Sequence, residues 1–246
     1  MDNTKRFDNM GELYEKARPK YAEKLLDYMK NTLNLNRGVK IADIGSGTGI
    51  FTEQLLKKGC FVYAVEPNAD MRKKAEAKLS YSENFRSVAG SAQDTCLSNE
   101  SVDYITCAQA FHWFDADDFK KECKRILKPG GKVIIVYNLR DESAECTKAL
   151  FKLRRKYNPD FKGFSNGISD EAIRKFFDNK CEVFKCENNF TYDRQSYVNR
   201  VLSSSYSLKE NDDKYDEYLK DINYIFDSFS ADGKITVPNF TAAYIG

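Results

Sequence analysis

Histidine and tryptophan are nearly absent: the 246-residue chain holds one of each, His112 and Trp113. One histidine cannot build a histidine-rich zinc site, and none of the seven cysteines sits in a C-x-x-C pair, so no metal is expected. An excess of one charge is also missing. The 39 basic and 37 acidic residues leave a net +2, which removes any whole-chain electrostatic case for a nucleic-acid partner. Lysine and glutamate are scattered, as on a solvated surface. No apolar run approaches the ~20 residues that cross a bilayer, so no membrane partner is expected. The opening Met1-Asp2-Asn3-Thr4-Lys5-Arg6 lacks an apolar stretch behind its charges and does not read as a secretory signal. The cysteine count is odd, and Cys60 and Cys107 fall in apolar strand patterns, where thiols serve as small core residues. The expectation is a reduced, cytoplasmic protein. Internal repeats and low-complexity tracts are absent as well.

What is present is a core and a rhythm. Hydrophobic residues make up 41% of the chain, enough for one large α/β domain or a domain with a cap. Residues 12–30 carry apolar side chains at helical spacing, interrupted by Pro19. Strands are predicted at 40–44, 61–65, 85–88, 102–108 and 132–137. Helices are predicted between them, at 49–58 (ending at Gly59), after Asn68, and at 117–127. Lys128-Pro129-Gly130-Gly131 has turn chemistry. This alternation predicts a doubly wound, mostly parallel sheet. The rhythm then breaks. Helices and loops are expected over 141–180, a strand at 181–190, helix over 192–224 and a final strand at 234–245.

The most informative stretch is Ile41-Ala42-Asp43-Ile44-Gly45-Ser46-Gly47-Thr48-Gly49, with Glu66 ending the next strand. Glycines allow backbone to approach a ligand closely, and the helix that follows offers free N–H groups. An acid at the end of the second strand suits the two hydroxyls of a ribose. A dinucleotide fingerprint needs its third glycine later, where Ile50 and Phe51 stand. No Lys-Ser or Lys-Thr follows the turn, which excludes a triphosphate loop. Ligands of open α/β sheets bind beyond the carboxyl ends of the strands. That rule gathers residues 43–49, Glu66, 90–93 and 108–113 into one cleft.

Asp43-x-Gly45-x-Gly47-x-Gly49 with Glu66 resembles motif I of the class I S-adenosylmethionine-dependent methyltransferases. Three further phrases widen the likeness: Tyr14-x-x-x-Arg18-Pro19-x-Tyr21, Ala110-Phe111-His112-Trp113-Phe114-Asp115 and Leu127-Lys128-Pro129-Gly130-Gly131. Together they resemble the methyltransferase type 11 group of small-molecule enzymes, which includes relatives similar to trans-aconitate methyltransferases. The likeness covers residues 10–140 well, with a weaker echo at 237–244. It implies a Rossmann-like seven-stranded sheet with a helical lid and an antiparallel last strand. It implies one methyltransferase domain over 1–246, with 1–140 and about 231–246 as cofactor core and about 141–230 as a substrate cap lending one core strand (181–190). The implied cofactor is S-adenosylmethionine, leaving as S-adenosylhomocysteine. Its candidate contacts are Tyr14, Arg18, Asp43, Gly45, Ser46, Gly47, Gly49, Glu66, Pro67, Ser91, Ala92, Gln93, Ala108 and Gln109. Many relatives carry an acid near Ser91; here none stands there, so Ser91, Gln93 and backbone share the adenine candidacy.

Histidine can take up or release a proton at neutral pH, and His112 lies at a strand's carboxyl end, so it is the candidate catalytic base or substrate holder. Its alternative is a structural hydrogen bond. Phe111 and Phe114 read as an aromatic plug between helix and sheet. Trp113 and Arg200 are candidate substrate contacts, with Arg18, His112 and Arg200 the positions to watch for a carboxylate. The expected reaction is methyl transfer to a small-molecule oxygen, carboxylate or hydroxyl, by in-line displacement. The competing expectation is a cofactor-binding regulatory protein without transfer activity. A nicotinamide dehydrogenase is disfavoured by the glycine spacing, and a nucleic-acid methyltransferase by the lack of an Asn-Pro-Pro-Tyr phrase.

Overall fold

The computed structural model describes residues 19–164, 169–204 and 206–246. Tyr14 and Arg18 therefore lie outside the described residues. The described part of the first helical stretch is α1 (Glu23–Thr32), which buries Leu25, Leu26 and Met29. Then follow β1 (Lys40–Ile44), α2 (Ile50–Lys57), β2 (Phe61–Val65), α3 (Ala69–Leu79), β3 (Phe85–Val88) and β4 (Val102–Ala108). Next come α4 (Ala116–Ile126) and β5 (Leu127–Arg140), then α5 (Glu145–Tyr157), α6 (Asp170–Phe176) and β6 (Glu182–Glu187). The chain closes with β7 (Phe190–Asp193), α7 (Arg194–Leu202), α8 (Tyr215–Phe229), β8 (Ser230–Ala231), β9 (Lys234–Val237) and β10 (Asn239–Ile245).

A seven-stranded sheet runs β3-β2-β1-β4-β5-β10-β6. β10 is antiparallel to both β5 and β6, and β1, β2, β3, β4 and β5 pair in parallel. The order reverses at β1/β4, so the ends of these two strands open a crevice at the carboxyl edge. Both faces are covered, and β5 shows the consequence. Ile134 and Val136 pack with α1 and α2, while Val133, Ile135 and Tyr137 pack with α4 and α6. Parallel strands buried on both sides need this nearly unbroken apolar run. Helix caps match the local chemistry: Asn68 accepts from Met71 N–H and Asp115 from the N–H groups of Asp117 and Asp118.

Four expected elements differ. The turn expected at 128–131 lies inside β5, with Gly130 at φ 80°. The strand expected at 181–190 ends at Glu187, and Phe190 begins β7 in another sheet. The helix expected over 192–224 is two helices with an irregular stretch between. The final strand expected at 234–245 is broken at Pro238, which has no N–H for a ladder. β9 therefore joins a three-stranded sheet β7-β9-β8, and only β10 enters the large sheet. The cap is thus helical and β together. Its own core unites Leu150 and Leu153 of α5, Tyr197 and Val201 of α7, Ile222 and Phe226 of α8, and Ile235 and Val237 of β9. α6 packs against the large sheet instead, where Phe176 meets Phe111 and Phe119. All seven cysteines are free, with Cys60 and Cys107 buried. Among the described residues no helix is long and apolar enough to cross a membrane.

Candidate active site

The turn after β1 is built from left-handed backbone. Gly45, Gly47 and Gly49 have φ of 68°, 57° and 80°, where a Cβ costs ~1–2 kcal/mol. Space constrains two of them further. A Cβ on Gly45 would fall 2.7 Å from Ala110 Cβ, and one on Gly49 would fall 2.6 Å from Leu79 Cδ1. Gly47 is different: its nearest neighbour would be Met71 Sδ at 3.7 Å. Gly45 thus packs the turn against the loop after β4, and Gly49 packs it against α3. A Cβ on Gly47 would meet nothing closer than ordinary van der Waals contact.

Glu66 stands where β2 ends and is 7% exposed. Its Oε2 accepts from Gly47 N–H at 3.0 Å and its Oε1 from Asn68 N–H at 3.0 Å. Burial raises its pKa, while those two N–H groups and the Arg72 cation hold it down. A carboxylate has about four lone-pair sites, so after two backbone bonds Glu66 keeps capacity for two hydroxyl donors. Pro67 beside it is exposed and uses its carbonyl on Arg72.

Asp43 lies beneath the turn, 1% exposed. Thr52 Oγ1 donates to it at 2.6 Å and Thr106 Oγ1 at 2.8 Å. Burial pushes its pKa up to about 6 against the pull of these hydroxyls. Asp43 therefore ties β1 to α2 and β4 and supports the turn from below. Neither threonine stands out in the sequence, because only the β1/β4 pairing brings Thr106 opposite Asp43.

The neighbouring loops complete the edge. The N–H groups of Gly45 and Ser46 donate to Val65 O, and Glu66 N–H donates to Val88 O. Ser91 Oγ accepts from Gln93 and Asp94 N–H, closing a tight turn over which Gln93 is exposed. Ala92 is buried against Val65 and Ala110. After Ala108, Gln109 adopts φ 57°, a left-handed conformation unusual for glutamine. Its N–H donates to Val136 O and its side chain to Asn138 O. Strain of this kind gathers at functional sites.

His112 follows in a short 3-10 turn, Phe111–Trp113. Tyr137, fully buried on β5, accepts from His112 N–H at 3.2 Å, and its hydroxyl is 3.2 Å from Nδ1. Burial raises the Tyr137 pKa, so the phenol remains protonated at neutral pH. The imidazole also contacts Trp113, 4.7 Å between ring centroids, and Trp113 is 36% exposed. Phe111 and Phe114 do pack helix to sheet, each against Phe119. Arg200 stands in the last turn of α7 in the cap.

Comparison with known proteins matches this geometry to a family. A family model described as a methyltransferase domain matches residues 42–135. An uncharacterized methyltransferase-like protein of Schizosaccharomyces pombe is 34% identical over 152 residues, 61% of this chain and 58% of its own length. An uncharacterized methyltransferase of Geobacillus kaustophilus is 31% identical over 182 residues, 70% of this chain and 80% of that protein. The chain belongs to the methyltransferase-domain family. A solved structure from Anaeromyxobacter dehalogenans, proposed to be a type II methyltransferase, shares the fold. Its TM-score is 0.67 at 19% identity, covering 93% of this chain and 96% of that one. The chain spans only 58% and 57% of the two S. pombe relatives' own lengths.

The residues fit the cofactor that this family implies. Gly47 leaves a gap that a side chain would fill, and Glu66 keeps free acceptor capacity beside it. Of the sequence candidates, Gly45, Ser46, Gly47, Gly49, Glu66, Ala108 and Gln109 meet at the carboxyl edge, with the Ser91-Ala92-Gln93 turn next to Glu66 through β3. Sequence reasoning missed Tyr137, which looks like one more apolar strand residue until β4 and β5 are paired.

Proposed function

We propose that this protein transfers the methyl group of S-adenosylmethionine to an oxygen of a small organic acceptor. The observation that carries the reading is the convergence of an open glycine turn, the half-satisfied Glu66 carboxylate and His112 on one sheet edge. The cofactor, when bound, supplies an electrophilic methyl on a sulfonium. The chain's residues do the rest. Glu66 would accept from the ribose hydroxyls, and the Ser91-Ala92-Gln93 turn would flank the adenine. Asp43, Thr52 and Thr106 hold the turn rigid, so little ordering cost falls on binding. Alignment of the acceptor and exclusion of water supply much of the acceleration, without a covalent nucleophile. If the acceptor is a hydroxyl, His112 takes its proton; with a carboxylate, His112 positions it. Free thiols throughout the fold support a reducing, cytoplasmic setting.

The test is a methyl-transfer screen over carboxylic acids, phenols and amines, repeated with His112→Ala. Turnover is expected for an oxygen acceptor and to fall at least about a hundredfold in the variant, the usual scale of general acid–base catalysis. S-adenosylhomocysteine affinity should stay unchanged. Full turnover by the variant would reduce His112 to scaffold, and transfer only to amines would contradict the oxygen assignment.

A further inference from the structure

Where β5 meets the cap, three arginines come together, none of them in an ion pair among the described residues. Arg140 ends β5 beside Asn239 of β10. Its guanidinium stacks on Phe164, 4.8 Å from the ring centroid, and makes no hydrogen bond or ion pair among the described residues. Burial pushes its pKa down to about 10, and the nearby Arg200 cation pushes the same way, yet it stays charged at neutral pH. Arg154 of α5, 3% exposed, adds a third cation. It donates to Ser207 Oγ, Tyr218 OH and Val201 O, all neutral acceptors. Three other arginines find acids: Arg125 pairs with Glu122, Arg174 with Asp170 and Arg194 with Asp227. A shielded charge is costly unless an opposite charge meets it. Three close cations raise that cost further.

Polar groups on the same wall are also unmet. Tyr197 of α7 is 2% exposed, but its hydroxyl bonds to no described residue. Burial raises its pKa, and the Arg140 and Arg154 cations pull it back part-way, so the phenol is near both. The hydroxyl oxygen is not sealed off like the rest of the side chain, so it is open to water or to a ligand. Thr147 Oγ1, two turns before Arg154 on the same helix face, is buried without one.

We propose that Arg140, Arg200 and Tyr197 form a carboxylate-binding pocket at the seam of sheet and cap, holding an acid group of the methyl acceptor. The substrate role rests on the methyl-transfer reading; the pocket itself does not. A guanidinium braced on an aromatic face keeps its in-plane N–H donors free, and their fork matches a planar carboxylate. Arg154 is saturated by neutral acceptors and contributes charge from behind. Arg140 lies three residues beyond Tyr137, about 10 Å along the strand, and by strand alternation its side chain leaves the face opposite to Tyr137. The bound carboxylate is a handle, and the methylated oxygen sits elsewhere on the same molecule.

The test uses malonate as probe. Thermal melts of the full chain are followed against malonate and against chloride at equal ionic strength, for wild type, Arg140→Gln, Arg200→Gln and Tyr197→Phe. Malonate should raise the wild-type Tm beyond chloride. Each arginine variant should weaken its apparent affinity by at least about tenfold, and Tyr197→Phe by less. Without anion, Arg140→Gln should melt at or above wild type, because it relieves repulsion. An equal malonate response in all proteins would overturn the pocket. So would a lower ligand-free Tm in Arg140→Gln, which marks a structural cation. A larger arginine-dependent shift with inorganic phosphate would overturn the carboxylate assignment. S-adenosylhomocysteine calorimetry on the same samples separates the two readings. An intact cofactor response with no malonate effect sinks only the pocket, and the reverse sinks only methyl transfer.

Discussion

Gly45 and Gly47 lie two residues apart with similar φ, and alanine at each should have opposite consequences. At Gly45 the new Cβ meets Ala110 Cβ at 2.7 Å and Phe114 Cζ at 3.1 Å. Left-handed strain of ~1–2 kcal/mol and overpacking of ~1–3 kcal/mol combine to ~2–5 kcal/mol of lost stability. At about 2–4 °C per kcal/mol for a domain of this size, Tm should fall by about 4–20 °C. At Gly47 the Cβ finds nothing nearer than Met71 Sδ at 3.7 Å, so only the strain of ~1–2 kcal/mol applies. That methyl instead occupies the space left for the cofactor. S-adenosylhomocysteine affinity should fall more than about tenfold, since even 1.4 kcal/mol of clash is that factor. Thermal melts and calorimetric titration of both variants measure the two effects. Equal destabilisation of the pair, or wild-type affinity in Gly47→Ala, would refute the distinction between a packing glycine and a cradle glycine.

Two other expectations follow from single contacts. Glu122 is desolvated, but its bonds from Arg125 and Thr95 outweigh that and lower its pKa from 4.5 to about 2. A depressed carboxylate stabilises the fold above the unfolded value and loses that contribution as pH falls from 4.5 toward 2. With Arg125 partly open to solvent, the contribution is about 1–2 kcal/mol. Glu122→Gln should therefore melt below wild type at pH 7, with the gap narrowing below pH 4.5 and closing near pH 2; a gap independent of pH would contradict the linkage. Tyr137→Phe removes the acceptor of His112 N–H and the partner of Nδ1, at a cost of about 1–3 kcal/mol. Turnover should fall with cofactor affinity intact, and unchanged turnover would show that Tyr137 does not orient the imidazole.

Local chemistry made much of the core legible. The apolar runs ending at Ile44 and Val65, the turn of glycines between them and Glu66 are all contiguous in the chain, and their spacing alone placed them at one sheet edge. Partners distant in sequence were not legible. Thr106 and Tyr137 acquire their roles only through the pairing of β4 with β1 and β5. The cap resisted for a related reason. Val237 and Asn239 share one alternating pattern, yet Pro238 interrupts the ladder and sends the two sides to different sheets. Arg200 could be noticed as a cation, but Arg140 could not, because nothing local shows that a strand's last arginine will meet two others without an acid.

The account depends most on a sulfur nucleoside held by the turn after β1 and by Glu66. Calorimetric titration of ligand-stripped protein with S-adenosylhomocysteine, run beside Glu66→Ala and beside NADH, tests this directly. One site per chain is predicted in wild type, weakened by at least about tenfold in Glu66→Ala, where charge-assisted bonds to the ribose are lost. Saturation by NADH with no heat from S-adenosylhomocysteine would contradict it.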